Sequence, residues 1–478
     1  MGIPGLLPFV DGAKRRIHVS ELRGKRVAVD AYVWLHRGAR SCASELGMGV
    51  ETDKFTEYSM EMIRMFRSHD VEPVLVFDGS YFPCKAPTEE KRALARSNKR
   101  SHAEYLQCAG ASAQETSDAF YAAIDITPEI ARALQLRLKR EGVEFIIAPF
   151  EADVQLAYLC LSGVVHCVCT EDSDILVYQC PRVLYKLDRT GYADWFEFEE
   201  LKELADGARP LFAPWPLWRE SQFTNMCILA GCDYLANPKK VAIKGAHQLC
   251  LQYTSDRDLL RVLQMRGHIG TTSKESAEYV RCFRTAQLIF SYAPVYDPLT
   301  KSIRRLCTED PRSVKAELRP YLDVDVPLPA WSADLVHAIC VAGEVNPITL
   351  ELFADARPLA ARSAVDSAVD LAVDSAMGFA AGSAAPLPDL AQILRKRRLD
   401  DLTGAAARGP ALNSTAAARA GFVNPARSIS APQQLLEVGK ENDLGRKLTF
   451  ASDCVGLHLP APVTLAAPRG QPLPFSQE

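Results

Sequence analysis

Acidic residues follow several separate runs that look like buried strands. The acids in question are Asp30, Asp78, Glu151, Asp153, Asp172 and Asp174, and an apolar, helix-like run ends at a further one, Asp233. The carboxyl ends of parallel strands meet at one edge of a sheet, so these seven carboxylates are expected to cluster there. Such a cluster needs cations, and two hard cations about 4 Å apart can clamp the attacking and leaving oxygens of a phosphate displacement. The pattern predicts metal-dependent hydrolysis of phosphodiester bonds.

Each acid taken singly also has a simpler explanation. An Asp after a strand commonly starts a turn or caps a helix, and acids such as Glu151 and Asp153 suit the first turn of a helix. A phosphatase of the haloacid-dehalogenase type is a competing metal enzyme, but it needs Asp-x-Asp after a strand. Here Tyr32 stands where the second acid would be. The seven acids together favour a metal-dependent nuclease.

A basic stretch occupies the insertion between Asp78 and Glu151. Its members are Lys85, Lys91, Arg92, Arg96, Lys99, Arg100 and His102. Such a run is often only a solvated helix face. Because it follows a candidate metal-site Asp, we expect Lys85 and Arg92 to reach the scissile phosphate and the others, including Arg96, to contact the DNA backbone.

Aromatic residues lie just after Asp30. We expect Tyr32 and His36 to contact an unpaired terminal base, because aromatic rings stack on bases of any sequence. The neighbouring Trp34 and Leu35 are interpreted as core residues.

Bulk composition limits the class of protein. The net charge of -4 and the pI near 6.2 do not fit a small basic DNA-coating protein, although an acidic metal site would itself lower the charge. The 14 cysteines are scattered without a Cys-x-x-Cys pair, which favours reduced core thiols over a zinc site. Reduced thiols in turn indicate a reducing compartment. No signal peptide or apolar run long enough for a membrane span is recognisable, so an intracellular protein without a membrane partner is expected.

Strand-like and helix-like stretches alternate along the first 350 or so residues. The predicted strands cover residues 26–29, 74–77, 145–148 and 167–169, and the predicted helices lie around 54–68, 128–141 and 152–162. This alternation predicts an α/β fold with a mostly parallel sheet flanked by helices. After about residue 355 the composition shifts to Ala, Pro, Ser and Arg, which is typical of a disordered tail.

Six ordered motifs resemble the flap-endonuclease (XPG/Rad2-like) superfamily of structure-specific nucleases, and within it the exonuclease-one branch. They are Met1–Leu7, Val29–His36, Val76–Gly79, Ala148–Leu159, Thr170–Asp174 and Gly231–Leu235. The resemblance implies a PIN-like nuclease fold with a helical arch and a helix–two-turn–helix region. It divides the chain into an N-terminal nuclease region (1–99), arch helices (100–137), an internal nuclease region (138–232), the helix–two-turn–helix with the C-terminal helices (233–352) and a disordered regulatory tail (353–478).

The activity that the resemblance implies is a 5′→3′ double-stranded DNA exonuclease that also cuts 5′ flaps, with two Mg²⁺ ions held by the seven carboxylates. Lys85 and Arg92 are then arch residues that steer the phosphate, and Gly2 lies near the site. The DNA partners would carry 5′ ends, nicks or 5′ flaps. A flap or junction endonuclease of the same superfamily, or a non-catalytic DNA-binding scaffold, are the alternatives.

The sequence departs from the family in the hairpin after Asp233. There the family has glycines and binds K⁺, whereas residues 237–245 carry Lys239, Lys240 and Lys244, and Gly245 is displaced. Lysine adopts a positive φ less readily than glycine. This argues against a K⁺ site of the family's type and for weaker or more salt-sensitive duplex binding, with the three lysines contacting the DNA by charge.

The tail contains a basic patch at residues 395–398 that predicts nuclear localisation. The resemblance implies a role in mismatch repair and recombination, with MutS- and MutL-type proteins and the sliding clamp as partners. Residues 446–450 resemble a MutL docking peptide too weakly to support that assignment.

Overall fold

A seven-stranded sheet forms the centre of this computed structural model, which describes residues 2–270, 272–307 and 314–356. Its strands are β1 (Lys14–His18), β2 (Arg26–Asp30), β3 (Glu72–Phe77), β4 (Phe145–Ile147), β5 (Cys167–Cys169), β6 (Arg182–Tyr185) and β7 (Tyr192–Glu197). Their order is β1-β7-β6-β5-β2-β3-β4. The five strands from β6 to β4 are parallel, and β7 runs antiparallel to both of its neighbours. The predicted mostly parallel sheet is confirmed.

The parallel strands are apolar on both faces because helices cover both sides of the sheet. In β2, the residues Val27, Ala28 and Val29 are fully buried, and Asp30 closes the strand. A residue of β2 pairs with residues of both β3 and β5, so Val29 lies level with Leu75 and Cys169. This register brings the acids that follow these strands to the same edge.

Helices surround the sheet and continue beyond it. They are α1 (Leu6–Phe9), α2 (Ala31–Ala39), α3 (Ala43–Gly47), α4 (Thr56–Ser68), α5 (Ala86–Cys108), α6 (Ala113–Ala123), α7 (Pro128–Arg140), α8 (Ala152–Leu161), α9 (Trp215–Leu217), α10 (Phe223–Ala230), α11 (Ile243–Gln252), α12 (Asp256–Met265), α13 (Ser273–Tyr292), α14 (Arg319–Asp325) and α15 (Ala333–Val336). Two small hairpins pair β8 (Ala205–Asp206) with β9 (Arg209–Pro210), and β10 (Pro294–Asp297) with β11 (Ser302–Arg305).

Helices α2 and α4 pack together next to the candidate site. The Trp34 ring stacks on Phe66 with centroids 6.1 Å apart, and both side chains are fully buried. Trp34 and Leu35 are therefore core residues, as their sequence context predicts. This packing fixes α2, which begins directly after Asp30.

The long helix α5 projects from the sheet edge and packs mainly on α6. Ala103 is its buried residue, and it joins Ala43 and Phe120 in a small separate apolar cluster. A Ser112 capping box starts α6. Because α5 begins at Ala86, the boundary predicted between residues 99 and 100 falls inside this helix.

The described chain ends against α7. Asp355 accepts a hydrogen bond of 2.8 Å from Arg132, whose guanidinium also lies 5.3 Å from the Phe353 ring centroid. Residues 353–356 thus contact the folded region although the predicted tail starts at 353. The rest of that tail, including the basic patch at 395–398 and the segment 446–450, lies outside the described residues.

The strands and helices predicted from the sequence are present in the structure. The four predicted strands correspond to β2, β3, β4 and β5, and the three predicted helices to α4, α7 and α8. In the described residues the cysteines form no disulfide, and no helix is both long and apolar enough to cross a bilayer.

We predict that Gln155→Leu destabilises the fold by about 2 kcal/mol or more, because it orphans two buried backbone groups. The Gln155 amide donates to Tyr296 O and its carbonyl oxygen accepts from Tyr296 N, both at 2.8 Å, and so joins α8 to β10. The free energy of unfolding in urea measures the effect. Gln264→Leu on the exposed face of α12 is the matched control and should change it by less than about 0.5 kcal/mol. Equal stability of the two variants would contradict this account.

Candidate active site

Asp30 closes β2 and caps α2 at the same time. Its Oδ1 accepts from Tyr32 N at 3.0 Å and Val33 N at 3.4 Å, and its Oδ2 accepts from Thr170 Oγ1 at 3.0 Å. Burial raises the pKa of Asp30 to about 7, and the nearby Asp78 adds to the rise. The capping explanation considered for this residue is therefore true, but it leaves a buried carboxyl group next to other acids.

Asp78 and Glu151 face each other across the ends of β3 and β4. Asp78 Oδ1 accepts from Ala152 N at 2.7 Å, so it helps to start α8. Burial raises the pKa of Asp78 to about 6. Glu151 is buried, and its Oε2 accepts from the Tyr234 hydroxyl at 2.7 Å.

Asp172 and Asp174 lie on the tight turn after β5. Asp172 Oδ1 accepts from Asp174 N at 3.0 Å, which holds the i, i+2 pair on one short 3₁₀ helix. Gly2 sits against them at φ 86°, and a Cβ atom there would collide with Asp172 Oδ1 and Ser173 Oγ. The predicted proximity of Gly2 to the site is thus a close backbone approach that only glycine permits.

Asp153, in the first turn of α8, connects the two groups of acids. Burial raises its pKa well above the usual range, and the charges of Asp172, Asp30 and Asp174 raise it further. Burial likewise raises the pKa of Asp174, and Asp172 and Asp233 reinforce that rise. The carboxylates therefore act on one another electrostatically, as expected for a single cluster.

Asp233 differs from the other acids because two cations bind it. Lys85 Nζ lies 3.0 Å from Asp233 Oδ2 and 3.2 Å from Glu151 Oε1, while Arg92 donates to both Asp233 oxygens at 2.8 and 2.9 Å. Burial alone would raise the pKa of Asp233, but Lys85 and Arg92 lower it. These two basic residues, predicted to meet a phosphate, thus lie at the carboxylate cluster and bind it directly.

The donor atoms are not converged into a finished metal site. Among the described residues, no three His, Cys, Asp or Glu side chains are gathered closely enough to hold an ion as they stand. Mutual repulsion and the bonds to helix N–H groups and to Lys85 account for this spread. The chemistry of the set still fits a hard cation. Asp174 Oδ1 is buried without a hydrogen-bond donor in the described chain, and such an orphan acceptor is costly unless a cation approaches it.

Tyr32 and His36 lie one turn apart on α2, half-buried beside the cluster. Burial, followed by the charges of Asp78 and Asp30, raises the pKa of Tyr32. Burial lowers the pKa of His36, although Asp125 opposes this effect. Arg96 pairs with the same Asp125 at 3.3 Å. The α2 face that carries both rings therefore runs from the carboxylates toward the Arg96–Asp125 pair at the middle of α5.

The predicted DNA-binding lysines occupy a separate surface. Lys239 and Lys240 are exposed on the lysine loop (residues 237–242), and Lys244 is exposed in the first turn of α11. Lys240 has φ 62°, the left-handed conformation expected where the family has glycine. Gly245 lies inside α11 and so cannot serve the turn.

Three carbonyls of the lysine loop already accept hydrogen bonds, those of Pro238, Lys239 and Val241. His268 Nδ1 hydrogen-bonds Lys239 O at 2.8 Å, and Asn237 Nδ2 donates to Val241 O at 2.7 Å. Val241 N donates to Pro238 O at 3.1 Å. The loop is thus closed by its own hydrogen bonds.

Sequence reasoning named no role for Thr170 or Tyr234, which hydrogen-bond Asp30 and Glu151. Both stand inside the recognised motifs, but a hydroxyl in a motif does not reveal its partner. The acid Glu171, inside the same acidic run, turns away from the cluster and pairs with Arg37 at 2.7 Å.

Comparison with known proteins gives two domain matches and several similar relatives. Residues 1–99 match the XPG N-terminal domain, and residues 142–233 match the XPG I-region. Exonuclease 1 of Arabidopsis thaliana is 34% identical over 367 residues, covering 77% of this chain and 47% of the relative. Exodeoxyribonuclease 1 of Schizosaccharomyces pombe is 33% identical over 306 residues, covering 64% of this chain and 52% of the relative. This chain thus spans about half the length of these two relatives.

Among solved structures, the catalytic core of Rad2 covers 56% of this chain and 71% of its own, with a TM-score of 0.39 and 18% identity. Flap endonuclease-1 from Methanococcus jannaschii covers 70% of this chain and 95% of its own, with a TM-score of 0.38 and 19% identity.

A shorter relative is matched over most of its length. The DNA damage-inducible protein DIN7 of Saccharomyces cerevisiae is 31% identical over 308 residues, covering 64% of this chain and 69% of the relative. The two domain matches together contain all seven carboxylates of the cluster. The chain therefore belongs to the XPG/Rad2 flap nuclease superfamily.

Proposed function

We propose that this chain is a Mg²⁺-dependent 5′→3′ exonuclease acting on double-stranded DNA, with endonuclease activity on 5′ flaps. The observation that carries the proposal is the cluster of seven carboxylates at the carboxyl edge of the sheet, with Lys85 and Arg92 bound to it. The nucleases of this family are metal-dependent. A scaffold that only binds DNA would have no use for so many mutually repelling acids.

The carboxylates would hold two Mg²⁺ ions, which supply an activated water and stabilise the leaving oxygen. The set is Asp30, Asp78, Glu151, Asp153, Asp172, Asp174 and Asp233. Thr170 and the N–H groups of α2 and α8 orient the acids at the ends of β2 and β3.

Lys85 and Arg92 would contribute positive charge toward the scissile phosphate. Both now contact Asp233, so they stand within reach of a phosphate held by the same cluster. Lys85 ends a short 3₁₀ helix just before α5, and Arg92 lies in the second turn of α5, so the helical backbone fixes both charges before substrate binds. Charges placed in advance favour stabilisation of the charge that develops in the transition state. Arg96, one turn further along α5, would contact the DNA backbone.

Substrate would extend from the cluster in two directions. The half-buried rings of Tyr32 and His36 offer a stacking surface for a terminal base, next to the acids. The lysine loop and Lys244 offer exposed positive charge for the duplex backbone. Ala242 provides no side-chain cap, so the first N–H groups of α11 stay available to a phosphate.

The cellular role that accompanies this activity is mismatch repair and recombination in the nucleus. MutS- and MutL-type proteins and the sliding clamp are the partners we propose. These proposals rest on the sequence motifs and on the relatives named above rather than on any contact in the described residues.

Cleavage of nicked duplex DNA tests the proposed metal site directly. Wild-type chain should release nucleotides from the 5′ side of a nick in duplex DNA when Mg²⁺ is added. Asp174→Ala should slow this release more than about 100-fold while DNA binding stays measurable, because a metal ligand is lost. Asp206→Ala, an exposed acid on β8, is the control and should cleave like the wild type. Normal cleavage by Asp174→Ala would remove it from the metal site.

Substrate preference separates the exonuclease from a flap or junction endonuclease. We expect faster hydrolysis of a recessed 5′ end than of a long 5′ flap by the same chain, measured with 5′- and 3′-labelled strands under identical conditions. Release of intact flaps without mononucleotides would favour the flap endonuclease instead.

The lysine loop predicts a particular response to salt. Because three of its carbonyls already accept hydrogen bonds, replacing K⁺ by Na⁺ at constant ionic strength should change duplex affinity by less than about twofold. Lys239→Ala should weaken binding and reduce the slope of log K against log salt by about 1, and Lys202→Ala is the matched surface control. A large loss of affinity in Na⁺ would show that the loop still binds K⁺.

A further inference from the structure

Two tyrosines lie beneath the carboxylate cluster and reach it through one hydrogen bond. The Tyr234 hydroxyl donates to Glu151 Oε2 at 2.7 Å, and the Tyr178 hydroxyl lies 3.4 Å from the Tyr234 oxygen. Both rings and Glu151 are buried. Since Tyr234 gives its proton to Glu151, its oxygen accepts from Tyr178, and the three groups form a chain that ends at the carboxylate.

The two carboxylate oxygens of Glu151 have different partners. Oε2 is taken by Tyr234, whereas Oε1 has no hydrogen bond in the described residues and lies 3.2 Å from Lys85 Nζ. The Tyr234 hydroxyl restrains Oε2 and the Lys85 ion pair restrains Oε1, so the two contacts together set the orientation of the carboxylate. The hydroxyl therefore helps to hold the orientation in which Oε1 faces Lys85, which also binds Asp233.

The Tyr234 ring is held firmly enough to act as such a support. It packs edge-on against Phe82 at 6.2 Å and Phe290 at 5.4 Å between ring centroids. Phe82 precedes α5, and Phe290 belongs to α13, so the ring joins the arch side of the site to the C-terminal helices. The adjacent Asp233 binds Lys85 and Arg92, and Lys85 also contacts Glu151.

We propose that Tyr234 is a positioning residue that presents Glu151 Oε1 to the metal cluster, with Tyr178 as its support. The inference rests on the proposed function, because it assigns Glu151 to metal binding. Partners that orient metal ligands commonly change metal affinity or activity by about 10–100-fold when removed.

The test is Tyr234→Phe, which deletes one hydroxyl and keeps the ring contacts. In the full chain without DNA, the Mg²⁺ concentration that half-maximally raises the melting temperature should increase about 10–100-fold. The Mg²⁺ requirement for digestion of nicked duplex should rise in parallel, and saturating Mg²⁺ should restore much of kcat. Tyr178→Phe should shift both midpoints in the same direction by a smaller factor, because its contact is longer.

Tyr279→Phe is the matched control, since the Tyr279 hydroxyl is buried without a hydrogen-bond partner in the described chain and contacts no acid of the cluster. It should match the wild type. Unchanged Mg²⁺ midpoints in Tyr234→Phe would overturn the inference, and so would wild-type chain that Mg²⁺ does not stabilise. Wild-type chain that Mg²⁺ stabilises but that digests no DNA would contradict only the proposed function, because the melting midpoints would still test Tyr234.

Discussion

Repulsion among carboxylates at one edge of the sheet is the constraint that organises this molecule. The register of β2 with β3 and β5 forces Asp30, Asp78 and the turn after β5 together, whatever the cost in electrostatic energy. Burial is the main reason why the pKa values of Asp30 and Asp78 are raised, and the charges of neighbouring carboxylates add to the rise. A fold selected for stability alone would place neutral side chains there. The metal binding proposed above would neutralise this charge, because clustered carboxylates attract cations.

The protein offsets part of this repulsion with its own cations. Lys85 and Arg92 both bind Asp233, and Thr88 Oγ1 donates to Asp233 O at 3.0 Å, so the start of α5 is attached to the turn after α10. The same charges are the ones proposed to meet the phosphate. On that proposal, substrate binding and the attachment of α5 would compete for the same groups, which would couple the position of the arch to the charge state of the site.

Much of this arrangement follows from sequence because strand ends are a local signal. An apolar run that stops at Asp30 or Asp78 identifies both the strand and its edge. The antiparallel pair β6 and β7 was not predicted, since its pairing depends on residues far apart in the chain. The hydrogen bond from Tyr234 to Glu151 could not be predicted for the same reason, since the two residues are far apart in the chain. Nor can a run of acids show that Glu171 turns outward, because only the position of Arg37 decides that.

The lysine loop carries charged lysines at positions where the family has conformationally freer glycines. A left-handed Lys240 is strained relative to glycine, but the bonds from His268 and Asn237 hold the loop in that shape. With three of its carbonyls hydrogen-bonded, the loop would offer a duplex its ammonium groups rather than its backbone. Electrostatic contacts between ammonium groups and DNA phosphates act through water, do not depend on base sequence and are screened by added salt. If the lysines bind the duplex as proposed, duplex binding should depend on ionic strength more than cleavage at the enclosed carboxylates does.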